Sequence, residues 1–159
     1  MSQKVQMKEL EDHIYMQILQ LSKAADLLTE KEEYNSALQK YWSAYDLIPE
    51  PKTKWETSTW LLASIGDINF INKDFEAGVK NLSSAMQCPD AIGNPFIHLR
   101  LGQCQLEIGN KHRAECELNR AYTIKGKPLF MQEDKKYFDF LDARVDLSTK
   151  KKKWWKLMK

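Results

Sequence analysis

The sequence predicts an all-α domain, a right-handed α-solenoid of about three stacked helix pairs with capping helices at its N- and C-terminal ends. Residues that favour helices dominate the 159-residue chain, whereas only 6 glycines and 5 prolines are present. Apolar residues recur at spacings of three and four, as they do on the buried face of a helix. A short motif of small and large residues also occurs three times, which is typical of stacked helical repeats.

The repeated motif is a small residue, a large apolar residue four positions later, and another small residue three positions after that. Its first small residues are Ala37, Gly78 and Ala114, so the copies are 41 and 36 positions apart. Small side chains let two helices approach closely, and the large side chain fills the space between them. The motif therefore marks the second helix of each pair. Its remaining members are Tyr41 and Ala44, Leu82 and Ala85, and Leu118 and Ala121.

Stop and start signals divide the periodic segments into seven predicted helices. The first carries an apolar stripe from Met7 to Leu28 and is long enough to add an N-terminal cap, and prolines such as Pro49 and Pro89 end later helices. Asn94 caps the fifth helix, where Pro95 takes the first position because its missing N–H costs nothing there. The predicted helices cover 2–29, 34–48, 54–71, 75–87, 95–108, 111–125 and 134–146.

The predicted domain covers residues 1–147 and is followed by a basic tail at 148–159. Its repeats span about 18–51, 59–92 and 95–128, and a capping helix at about 134–146 presents Tyr137, Phe138, Phe140, Leu141 and Val145 to the open edge of the third pair. The last ten residues hold six of the 24 basic side chains and no acid, whereas the rest of the chain carries all 22 acidic ones. The body is therefore mildly acidic.

Several classes of function are excluded by what the sequence lacks. No stretch of 18 consecutive apolar residues predicts a membrane span, and the first residues form no secretory leader, so a cytoplasmic protein is expected. Three cysteines without a CxxC pair predict buried, reduced thiols. His112 and Cys116 are too few for a metal site, and no phosphate loop or nucleophile motif occurs. The chain is expected to be non-enzymatic, without cofactor or metal.

The sequence resembles the tetratricopeptide-repeat family over about residues 18–128. The resemblance lies in the helix ending Ala44-Tyr45-Asp46-Leu47-Ile48-Pro49 and in Leu101-Gly102 followed by Ile108-Gly109-Asn110. It implies that the first helices of the pairs line a concave groove that binds protein. The groove residues expected from it are Asp26, Thr29, Trp60, Asp67, Phe70, Phe96, Leu99, Gln103 and Glu107.

An alternative use of these residues is structural. If the terminal helices fill the groove, its aromatic residues belong to the core. Relatives that clamp a peptide carboxylate use Lys and Asn at two positions of each first helix. Here those positions hold Ser22 and Asp26, Ala63 and Asp67, and Leu99 and Gln103, so the groove is acidic and suits a basic partner instead.

A narrower resemblance, over about residues 55–145, is to small bacterial tetratricopeptide immunity proteins of polymorphic toxin systems. It lies in the segments 95–103, 107–110, 117–122 and 133–141. It implies a 1:1 complex with a basic toxin domain, steered by acids such as Asp26 and anchored by aromatics such as Trp60. The alternative is a secretion chaperone or assembly adaptor that binds an extended peptide.

The tail at 148–159 carries Trp154 and Trp155 among its lysines. Such a segment can touch anionic lipid or nucleic acid, or fold back on the last helix. Because the body is acidic, neither direct nucleic-acid binding nor membrane contact is expected.

Overall fold

The computed structural model describes residues 10–145 and 147, and these residues form seven α-helices. The predicted all-α class is confirmed. Short 3-10 turns at Lys52–Lys54 and Lys127–Phe130 precede the third and seventh helices. The helices are α1 (Asp12–Glu30), α2 (Tyr34–Asp46), α3 (Glu56–Ile71), α4 (Phe75–Ala85), α5 (Pro95–Glu107), α6 (Lys111–Lys125) and α7 (Lys135–Val145).

Three helix pairs, α1–α2, α3–α4 and α5–α6, share one type of turn. Each turn has a residue with positive φ, namely Glu32, Lys73 or Gly109. The amide of the following residue then donates back to a carbonyl five residues earlier in the first helix, as in a Schellman motif. These turn residues are 41 and 36 positions apart, the same spacings that separate the copies of the sequence motif.

Within the second and third pairs the helices meet at a glycine. A Cβ atom on Gly66 would lie 2.4 Å from Leu82 Cγ, and one on Gly102 would lie 2.7 Å from Leu118 Cγ. Both leucines are the large residue of the repeated motif, which therefore fills the space between the two helices of a pair. In the first pair the corresponding residue is Ala25, which is fully buried.

The core consists of three apolar clusters that follow one another along the stack. The first joins α1, α2 and α3, and the second joins α3, α4 and α5. The third contains Leu99 and Leu118 from the last pair, together with Tyr137 and Leu141 from α7. The last helix therefore covers the third pair, as its apolar residues predicted.

Some predicted boundaries differ from the structure. Leu10 and Glu11 precede α1 rather than belonging to it, and 2–9 lie outside the described residues. Leu10 still packs against the first cluster, so its place in the apolar stripe reflects burial and not helix. The helix begins at Asp12, whose carboxylate favours a helix N-terminus. The tail at 148–159 also lies outside the described residues.

Two further differences are local. Helix α2 ends at Asp46, before the predicted Ile48, and the Lys52 ammonium hydrogen-bonds the carbonyls of Tyr45, Asp46 and Ile48 at this end. Cys88 and Cys104 are buried as expected, but Cys116 is exposed, so the prediction of three buried thiols is wrong for it. In the described part of the chain, no helix is long and apolar enough to cross a membrane.

Candidate functional site

The face formed by α1, α3 and α5, called here the first-helix face, contains a groove of about 430 Å³. The loop between α4 and α5 closes one side of it. Five of the nine residues predicted from the sequence line this groove together, although they come from three different helices. They are Asp26, Thr29, Trp60, Asp67 and Phe96.

The α1 wall of the groove is held to α2 through a tyrosine. The Tyr41 hydroxyl donates a short hydrogen bond to Asp26 Oδ1. Burial and the Asp26 carboxylate raise the pKa of Tyr41 well above its usual value, so the phenol stays protonated and keeps donating. This contact fixes the Asp26 carboxylate at the edge of the groove.

The loop between α4 and α5 is tied to the groove by two polar contacts. Thr59 Oγ1 donates to the carbonyl of Pro89 at 2.6 Å. The Gly93 amide donates to Nε2 of the buried His98 at 3.0 Å. The other ring nitrogen of His98 lies 2.6 Å from Glu117 of α6, so His98 joins this loop to α6.

This loop adds two polar residues to the groove wall. Asp90 lies in the left-handed region with φ 58°, a conformation that aspartate tolerates better than most residues. Asn94 Oδ1 accepts hydrogen bonds from the amides of Phe96 and Ile97, as predicted for a helix cap. The cap fixes the start of α5 and with it the place of Phe96.

The groove lining is acidic. The described residues that line it include four carboxylates and no lysine or arginine. Among the described residues, only one of these carboxylates, Asp67, forms an ion pair. The four are Asp26, Glu56, Asp67 and Asp90.

The partner of Asp67 is Arg100, which stands at the end of the groove. Its Nε lies 2.5 Å from Asp67 Oδ1 and its Nη1 lies 2.6 Å from Glu133 Oε2. The guanidinium carbon lies 4.5 Å from the ring centre of Phe70 and 5.3 Å from that of Phe96. The two carboxylates raise the pKa of Arg100 against the opposing effect of burial, so this arginine keeps its charge.

The other four predicted residues lie beyond Arg100, where α7 and the residues before it cover the first-helix face. Leu99 is buried in the third apolar cluster, and Gln103 is buried with its amide nitrogen 2.8 Å from Glu133. Phe70 packs against Tyr137, with 6.1 Å between ring centres. We call this part of the face the covered region. Here a terminal helix fills the groove and the aromatic residues belong to the core, as in the structural alternative given above.

Glu107 holds α7 on the covered region. Its Oε1 accepts a 2.7 Å hydrogen bond from the Tyr137 hydroxyl and pairs with the Lys136 ammonium. Burial alone would raise the pKa of Glu107, but these hydrogen bonds outweigh it and the pKa lies below its usual value. Glu107 thus stabilises the cap in its ionised form.

Sequence reasoning missed Arg100, Glu133 and Asp90. Arg100 falls one position after Leu99 in the groove register, so the repeat pattern assigns it no role. Glu133 reaches Arg100 across 33 positions, and Asp90 lies in a loop that the helical register does not cover. The only signal for Arg100 was the aromatic pair Phe70 and Phe96 on neighbouring helices.

Comparisons with known proteins bear on the fold. No protein-family model and no curated protein matches the chain. Among solved structures, the C-terminal tetratricopeptide-repeat domain of a Plasmodium falciparum protein described as an FK506-binding protein superposes with a TM-score of 0.67 at 15% identity. The match covers 92% of this chain and 99% of that one. The chain therefore has the all-helical fold of a tetratricopeptide-repeat domain, with three helix pairs and a C-terminal cap.

Proposed function

We propose that the chain is a non-enzymatic module that binds a basic surface of a partner protein through the groove. The fold is one that generally serves protein binding. The observation that carries the proposal is the groove lining, which among the described residues has four carboxylates, three aromatic side chains and no lysine or arginine. Acids steer a basic partner towards the groove, and Trp60 and Phe96 supply the rigid apolar area that interfaces use as anchors.

The finer proposal is that the partner is a toxin domain and that the chain neutralises it in the cytoplasm as a 1:1 complex. It rests on the resemblance of 55–145 to bacterial immunity proteins and on the charge of the groove. A toxin that acts on nucleic acid needs a basic surface, because it binds phosphates. An acidic groove would compete with that substrate for the same basic surface.

The experiment starts from affinity capture of partners from the source cells with the tagged chain. The captured domain is then expressed alone, with the chain, and with two double variants of it. Trp60→Ala/Phe96→Ala should weaken binding by about 100-fold or more, since each anchor contributes about 2 kcal/mol. Ile124→Ala/Met131→Ala removes two exposed apolar side chains outside the groove and serves as the matched control.

For the immunity proposal, the captured domain should arrest growth, and the chain and the control variant should restore it. The Trp60→Ala/Phe96→Ala variant should fail to protect while its circular dichroism and thermal unfolding show a folded domain. If both double variants bind the partner with equal affinity, the groove is not the binding site. A harmless partner bound through a linear segment would instead favour a secretion chaperone or an assembly adaptor.

A further inference from the structure

We infer that the groove holds an arginine side chain of the partner, stacked against Trp60 and Phe96 and paired with the Asp26 and Asp90 carboxylates. This inference rests on the proposed function and names the group that the groove recognises. Three observations on the first-helix face carry it. They are the environment of Arg100, the direction of the groove's hydroxyl donors, and the unpaired acids.

The first observation is that this face already holds one guanidinium of its own. The Arg100 guanidinium lies over the Phe70 and Phe96 rings and pairs with Asp67 and Glu133. Aromatic faces attract a guanidinium, and carboxylates bind its N–H groups in the plane. The neighbouring groove repeats these residue types.

The groove and the surroundings of Arg100 share two side chains. Phe96 contacts Arg100 and also lines the groove, where Tyr41 and Trp60 are the other aromatic residues. Asp67 likewise lines the groove, and the described residues give its Oδ2 no hydrogen bond, since Arg100 bonds Oδ1. A second guanidinium would therefore meet aromatic and acidic groups like those around Arg100.

The second observation concerns the hydroxyl groups of the lining, all of which donate to acceptors of the chain itself. Tyr41 donates to Asp26, and Thr59 donates to Pro89. Thr29 and Ser64 donate to carbonyls in their own helices at 2.9 Å. With these donors used, the groove presents mainly carboxylate acceptors, which favours a ligand that brings several donors.

The third observation is that the acids have no cation of their own. Within the part of the chain that the structure describes, Asp26, Glu56 and Asp90 form no ion pair. Arginine suits such a site better than lysine, because its planar guanidinium stacks on rings and offers five donors at once. Its weaker hydration also lowers the cost of entering the groove.

The test uses three short capped peptides, Gly-X-Gly, in which X is arginine, lysine or citrulline. Citrulline keeps the shape of arginine without its charge. Binding is followed by nuclear magnetic resonance at the Trp60 indole N–H, which a Trp60→Phe variant identifies among the five tryptophans. The arginine peptide should bind saturably, about fivefold or more tighter than the lysine peptide, and the citrulline peptide should not saturate.

A conservative double variant completes the test. Asp26→Asn keeps an acceptor for Tyr41, and Asp90→Asn keeps a residue that tolerates positive φ. Together they should raise the dissociation constant of the arginine peptide by about tenfold and reduce its salt dependence. Equal binding of arginine and citrulline, no saturable arginine binding, or an arginine affinity unchanged by the variant would overturn the inference.

The two proposals fail in different ways. If a partner protein needs Trp60 and Phe96 but the arginine peptide does not bind, the groove is a protein site and the arginine assignment is wrong. If the peptide binds as expected but no partner depends on those residues, the arginine site stands and the proposed function falls.

Discussion

Arg100 and Glu133 form an ion pair across the first-helix face, with 2.6 Å between Nη1 and Oε2. The pair joins the middle of α5 to the residues that lead into α7. Since Arg100 also bonds Asp67 on α3, one side chain connects the second pair, the third pair and the cap. The capped end of the stack therefore depends on a charge that the helix pattern does not reveal.

Replacing Arg100 by methionine should lower the free energy of unfolding by about 2–3 kcal/mol. The change leaves the Asp67 and Glu133 carboxylates close together without their cation, although Asp67, at 28% exposure, keeps some water. Urea unfolding measures the loss. Arg120→Met is the matched control, because Arg120 is 58% exposed and pairs with Glu117 at 3.4 Å. Arg120→Met should lower the free energy of unfolding by less than about 1 kcal/mol. Equal losses for the two variants would show that the Arg100 ion pairs do not stabilise the fold more than an exposed pair does.

Alanine at Gly102 should destabilise the chain by about 1–3 kcal/mol. Its Cβ would lie 2.7 Å from Leu118 Cγ and 3.0 Å from the Leu118 backbone nitrogen, which cannot move without α6. At Gly66 the nearest atoms all belong to the Leu82 side chain. Combining Gly66→Ala with Leu82→Ala should therefore give a smaller loss than the sum of the two. Thermal unfolding of the single and double variants checks this, and additive losses would contradict the close contact.

Acid should loosen the cap through Glu107. Because its pKa in the folded chain is lowered by Lys136 and Tyr137, its contribution is complete above the pKa of the unfolded chain, about 4.3. That contribution is lost as the pH falls through the lowered folded value. Glu107→Gln should lower stability at neutral pH and flatten the dependence below pH 5 or so. Unfolding of both proteins across this pH range tests whether the stability falls with acid as expected. If the stabilities of the two proteins change with pH in parallel, Glu107 is not the group responsible.

Alkali should destabilise the fold through Tyr41 and Tyr137. Burial, and then the carboxylates of Asp26 and Glu107, raise the pKa of these phenols in the folded chain. Their contribution is complete below the unfolded pKa of about 10 and is lost as the pH rises towards the folded values. Phenolate absorbance should show late-titrating tyrosines, and their number should fall by two in Tyr41→Phe/Tyr137→Phe. Full titration near pH 10 or so in the folded chain would contradict both hydrogen bonds.

The sequence predicted what depends on local signals. Asn94, Pro95 and Gly109 bound α5 where expected, because caps and breakers act within a few residues. The repeated motif also identified Leu82 and Leu118, which contact Gly66 and Gly102 within the pairs. The sequence leaves open whether a terminal helix covers Leu99, Gln103 and Glu107, because the covering depends on charged contacts about 30 positions apart. The periodic pattern of apolar residues does not predict such contacts.

The double use of Asp67 links two parts of the molecule thermodynamically. Its carboxylate faces the groove and also bonds the arginine that retains the segment before α7. A bound cation that drew Asp67 away from Arg100 would weaken the contact that holds the segment before α7. By thermodynamic linkage, the factor by which a ligand shifts the equilibrium of the cap equals the factor by which a change in the cap shifts the ligand affinity. Amide hydrogen exchange in α7 would accordingly register occupancy of a groove that α7 does not line.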